Sequence, residues 1–95
     1  MFLGFQQVVA GASVKTVTDL NIPANATHAE VQADTQTVRY NMNNATDPTQ
    51  TVGMQFLVTS EPKSFLIEDI RRIRFIRGAG SDGNLNIHYF GGRNI

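Results

Sequence analysis

The chain has 95 residues, 41% of them apolar and 17% charged, with eight bases balancing eight acids and no cysteine. That length holds one domain with a modest core, and the missing cysteines exclude a disulfide framework or a thiolate metal site. Zero net charge argues against a nucleic-acid binder, which is basic as a rule, and no run approaches the roughly 18 apolar residues of a membrane-spanning helix.

The charge is low for a soluble domain, where about 25% is usual. Thr, Asn, Gln and Ser make up the difference, a surface suited to packing against other proteins. The distribution is uneven. Residues 1–61 hold two bases and five acids, and residues 62–95 hold six bases and three acids. Met1-Phe2-Leu3-Gly4-Phe5 is apolar but short and lacks a basic leader, so no signal peptide is expected.

Gly, Pro, Asn and Asp break the chain into runs of strand length. Residues 2–9 are predicted to be extended, and Gly11-Ala12-Ser13 ends them. Residues 14–18 are β-branched and short. Residues 20–27 read as a connection around Pro23, whose nitrogen cannot donate to a ladder. In residues 28–34, Ala29, Val31 and Ala33 share one face, and Glu30, Gln32 and Asp34 the other. Thr35-Gln36 is a candidate tight hairpin, although neither residue favours positive φ. Residues 37–42 set Val38, Tyr40 and Met42 on one face. Residues 43–49 are a loop on composition. Residues 51–59 are predicted to be a strand carrying Val52, Met54, Phe56 and Val58, with Gly53 as a bulge.

The segment Arg71-Arg72-Ile73-Arg74-Phe75-Ile76-Arg77 comes after a turn at Ser60-Glu61-Pro62 and a short apolar run at Phe65, Leu66 and Ile67. Read as a strand, it points Ile73 and Phe75 to one side and Arg72, Arg74 and Ile76 to the other. A helix over 66–77 competes, because Leu66, Ile70, Ile73 and Ile76 fall near helical spacing. A Gly-rich turn over 78–83 leads to a last strand over 84–90, with Leu85, Ile87 and Tyr89 opposite Asn86, His88 and Phe90.

Little here speaks for catalysis. His28 and His88 with Glu30 or Asp34 form too sparse a set for a metal or acid–base site, and surface histidines are the better reading. Gly78-Ala79-Gly80-Ser81-Asp82-Gly83 spells a G-x-G-x-x-G, but Asn84-Leu85-Asn86-Ile87 after it alternates as a strand, so the segment reads as a hairpin loop. Asn25-Ala26-Thr27 and Asn44-Ala45-Thr46 match the glycosylation pattern and read as chance in an Asn- and Thr-rich chain. Arg72 and Arg74 are candidates for solvated charge, for pairing with a partner's carboxylates, or, less favoured, for nucleic acid.

The order Leu20-Asn21-Ile22-Pro23-Ala24-Asn25-Ala26, Val38-Arg39-Tyr40, Pro48-Thr49 with Gly53-Met54, Ile73-Arg74-Phe75-Ile76 and Leu85-Asn86-Ile87-His88-Tyr89-Phe90 resembles a group of small tailed-bacteriophage virion proteins. That pattern runs through a "Leu-x-x-Pro-x-x-Ala" opening, a "Val-Arg-Tyr" strand, a "Pro-Thr-x-x-x-Gly-Met" stretch, an "Ile-Arg-Phe-Ile" strand and a closing aromatic strand. The chain departs from it over 41–46, where the group's turn is shorter. The resemblance covers residues 20–90 and implies a compact β-sandwich that decorates or cements a capsid as a homo-oligomer.

The expectation is therefore an all-β chain, one small jelly-roll-like β-sandwich of about seven to eight short antiparallel strands, with residues 1–12 a candidate N-terminal arm. The expected function is a structural virion protein, a capsid decoration or cement protein on the capsid surface. Its expected partners are the major capsid protein and copies of itself. Phe2, Leu3 and Phe5 are the candidate anchors, and Arg72, Arg74 and Arg77 the candidate partners for capsid carboxylates. No catalytic residue, cofactor, metal or membrane contact is expected. The alternatives are a tail or head-fibre adaptor and a glycan-binding β-domain.

Overall fold

A computed structural model describes residues 1–43 and 45–91. Among these residues eight strands, one 3-10 turn and one α-helical turn succeed each other: β1 (Phe2–Ala10), β2 (Lys15–Thr16), a 3-10 turn (Val17–Asp19), β3 (Ala26–Asp34), β4 (Val38–Asn41), β5 (Met54–Phe56), β6 (Lys63–Leu66), α1 (Ile67–Ile70), β7 (Arg74–Arg77) and β8 (Gly83–Gly91). They form two antiparallel sheets, ordered β1-β8-β3-β6 and β2-β7-β4-β5.

The order has a simple logic. β1 lies beside β8, β2 beside β7, β3 beside β6 and β4 beside β5. The chain is one long hairpin with its apex between β4 and β5, rolled so that successive strand pairs alternate between the sheets. Every connection except β4–β5 therefore crosses from one sheet to the other. This is a jelly roll, the double-sheet answer to the edge-strand problem, and it matches the sandwich expected from the two-residue periodicity.

The alternation that predicts the strands also builds the core. Ala29, Val31 and Ala33 of β3 and Leu85, Ile87 and Tyr89 of β8 point inward from the first sheet. Val38 and Tyr40 of β4, Phe56 of β5 and Phe75 of β7 point inward from the second. The two sheets meet in an aromatic cluster. Tyr40 stacks on Phe56 with ring centroids 3.9 Å apart, and Phe65 of β6 meets Phe56 edge-on at 5.9 Å. Each such pair contributes about 0.5–1.5 kcal/mol beyond the area it buries. Two contacts close the open sides of the sandwich. Lys63 donates to the Gln55 carbonyl at 3.3 Å between the β6 and β5 edges. On the β1 side, buried Leu20 is held by a connection that bonds to Gln6.

Several expectations shift. Of residues 1–12, a candidate arm in sequence terms, Phe2–Ala10 form β1 and pair along β8 in the first sheet, and the Gly11 carbonyl accepts from the Arg77 backbone of β7 at 3.1 Å. Thr35 and Gln36 do form a tight turn, in which Gln36 donates to the Asp34 carbonyl at 2.9 Å. They join strands of different sheets, however, and Thr35 takes φ 78°. The strand expected over 51–59 is only Met54–Phe56. Gly53 at φ 135° and the reciprocal Thr49–Val52 backbone bonds turn the chain before it, and a turn closed by Ser60 onto Leu57 ends it. Val52, Met54 and Val58 are exposed as a result. The rival readings of 66–77 each hold in part: one helical turn at Ile67–Ile70, then a strand limited to Arg74–Arg77. The Gly78–Gly83 loop links strand to strand across the two sheets. The Asn44-Ala45-Thr46 match begins at a residue outside the described set.

Candidate protein-docking face

The outer face of the sheet β1-β8-β3-β6 concentrates side chains that a folded domain usually hides. Register decides which ones. Phe2 lies opposite Phe90, Phe5 opposite His88, His28 opposite both Phe90 and Leu66, and Glu30 opposite His88. Strand alternation turns all of these but Phe2 outward, and the register shift between Phe2 and Gly4 brings Phe2 to the same face, while Ala29, Val31, Leu85, Ile87 and Tyr89 fill the core.

The rings touch one another. His28 stacks on Phe90 at 5.1 Å with planes 9° apart. Phe2 meets His88 edge-on at 5.1 Å and Phe90 at 5.9 Å, and Phe5 meets His88 at 5.6 Å. Thr27 Oγ1 lies 3.2 Å from His28 Nδ1 and restrains that ring. This aromatic ladder faces solvent all the same: Phe2 is 53% exposed, Phe5 57% and Leu66 60%. Such contiguous apolar surface, fixed on a sheet, marks an interaction site more often than chance exposure does.

The ladder grades into amides and carboxylates along the same strands. Gln7 donates to Asn86 Oδ1 at 2.8 Å, and Gln32 and Asp34 extend the polar margin on β3. A shallow cleft of about 130 Å³ lies at the boundary, lined by Glu30, Gln32, Pro62, Asn86 and His88. An apolar centre with a polar margin is the anatomy of a protein interface.

The six residues singled out from the sequence do not converge. Phe2 and Phe5 are on the ladder. Leu3 is not, because a register shift between Phe2 and Gly4 turns it toward the core, where it packs half-buried. The arginines lie on and beside the other sheet. Arg72 is exposed in the turn after α1. Arg74 pairs with Asp47 at 2.5 Å and Arg77 with Asp82 at 2.9 Å, so both already have carboxylate partners within the chain. His28, His88, Phe90 and Leu66 complete the ladder and are not among the six. The sequence carries a signal for three of them: His88 and Phe90 alternate against a fully apolar set, and so does His28.

The remaining polar chemistry is structural. Tyr89, near the end of β8, donates its hydroxyl to Gln6 Oε1 at 2.8 Å, and burial pushes its pKa up to about 12. Burial raises that of Tyr40 as well. Arg39 donates to the Gln50 and Gly53 carbonyls and holds the β4–β5 loop. Among the described residues no group of three His, Asp or Glu side chains is placed to hold a metal ion. Compared with known proteins, the chain matches no family model, no curated protein and no solved structure.

Proposed function

We propose that this chain is a structural virion protein that decorates or cements a bacteriophage capsid, docking through the outer face of its β1-β8-β3-β6 sheet. The observation that carries the reading is the ladder of exposed Phe2, Phe5, His28, Leu66 and His88 around half-buried Phe90 on one sheet face. Rigid aromatic anchors lose little conformational entropy on binding, and interfaces concentrate their energy in such residues. The jelly roll is also an architecture used by viral capsid proteins, which supports the reading by analogy of fold alone. Anchoring thus moves from an arm-plus-arginine scheme to the sheet face. Phe2 and Phe5 remain in it. Of the three candidate arginines, Arg72 is the one without a carboxylate bridge among the described residues.

The experiment is co-sedimentation of the purified protein with capsids that lack it. The reading expects saturable binding at a fixed number of copies per capsid, abolished by the Phe2→Ser/Phe5→Ser pair. Absence of binding at every salt concentration rejects it. The boundary cleft favours a second reading, glycan binding, since Glu30, Gln32 and Asn86 offer both donors and acceptors beside the His88 ring. That reading expects monosaccharides to shift the NMR signals of Gln32 and Asn86, and fails if none does.

A further inference from the structure

The four outermost strands of the sandwich are not alike. β2 has two residues, β5 three and β6 four. β6 also carries Lys63 and comes directly after Pro62. Short edges, lysine and proline are the devices by which folded proteins prevent edge-to-edge pairing. β1 has none of them. It is nine residues long, contains no charged residue and no proline, and runs in unbroken register with β8 from Gly4 to Ala10. Its partner on one side is β8. On the other side no backbone hydrogen bond to Phe2–Ala10 is made among the described residues. Among the described residues, the hydrogen bonds from the 19–21 connection to this strand are made with the Gln6 side chain.

We infer that β1 pairs antiparallel with β1 of a second copy of this chain across a two-fold axis, joining two four-stranded sheets into one of eight strands. The choice of occupant rests on charge. An antiparallel two-fold sets the central residue against its own counterpart and every other residue against another residue of the same strand, so a strand that carries no charge meets no like-charge repulsion. One register satisfies the side chains best. Centred on Gln7, it sets the two Gln7 amides side by side and Phe5 of each copy against Val9 of the other, all on the outer face. Phe5 is 57% and Val9 46% exposed in the single chain, so both gain cover. The arrangement also turns both aromatic ladders to the same side, making a dimer with two parallel docking patches. It stands independently of what those patches bind.

Light scattering over a concentration series tests it. The expected mass is twice the 10.5 kDa of the chain, falling to 10.5 kDa on dilution. Gln7→Lys, which opposes two ammonium groups, weakens the dimer about tenfold or more, whereas Leu66→Lys on the far edge of the same face leaves it intact. Intermolecular NOEs between Phe5 and Val9 in a mixed-label wild-type sample read the register directly, whatever the variants do to folding. A monomer at every concentration, or a dimer that tolerates Gln7→Lys and is lost in Leu66→Lys, overturns the inference.

Discussion

Gln6 does more than any other single side chain to tie β1 to its surroundings. Its Oε1 accepts from the Asn21 backbone at 2.9 Å and from the buried Tyr89 hydroxyl at 2.8 Å, and its Nε2 donates to the Asp19 carbonyl at 3.4 Å. Gln6→Ala leaves the Tyr89 hydroxyl without a partner and is expected to cost about 1–3 kcal/mol in urea unfolding. Adding Tyr89→Phe should recover part of that loss, because removing both partners of a buried bond is milder than removing one. Tyr89 also sets an alkaline limit. Its folded pKa of about 12 lies above the ordinary 10, so the unfolded chain loses this proton first as pH rises. The associated stability is complete below pH 10 and disappears toward pH 12, a fall of about 2–3 kcal/mol measurable by urea midpoints across that window. None of this is readable in Gln6-Gln7, where nothing distinguishes the residue that turns inward from the one that turns out. Phe90 is the converse case, since its alternation against Leu85, Ile87 and Tyr89 places an aromatic ring outside the core.

Elements show which local patterns carry information. β3 and β8 are legible because their alternation is unbroken over long runs, with Ala29, Val31 and Ala33 and then Leu85, Ile87 and Tyr89 all buried as expected. The 51–59 stretch alternates as well, yet Gly53 at φ 135° bends it, and a Cβ there would lie 3.2 Å from the Tyr40 carbonyl oxygen. The period is correct for Phe56 and misleading for its neighbours. At 66–77 helical and strand periods overlap. The chain resolves the conflict with one turn, in which Ile67 and Ile70 are buried as α1 packs against β3. The turn after β3 stores strain, because Thr35 is a β-branched residue at φ 78°. Thr35→Gly relieves it while giving up the 3.3 Å bond from Asn84. The net expectation is a gain of about 0.5–1 kcal/mol, read from the shift in denaturation midpoint.

At the scale of the molecule, the pairing of β1 with β8 sets Phe2 beside Phe90, so the two ends of the described chain must meet before the first sheet is complete. Contacts this distant in sequence slow folding, and stopped-flow refolding is expected in the millisecond-to-second range rather than in microseconds. The sandwich is legible from strand spacing, but which strands pair is not. Periodicity states which face of a strand is buried and is silent about its neighbour. For the same reason the aromatic ladder cannot be assembled from sequence: Phe2, His28, Leu66, His88 and Phe90 become neighbours only once β1, β8, β3 and β6 lie side by side. The proposed function rests on that juxtaposition, and hydroxyl-radical footprinting of the capsid-bound protein tests it most directly. Phe2, Phe5, His28, Leu66 and His88 should become protected on binding while Met54 on the opposite sheet stays reactive. Undiminished reactivity along the ladder, or protection confined to Val52 and Met54, would contradict the account.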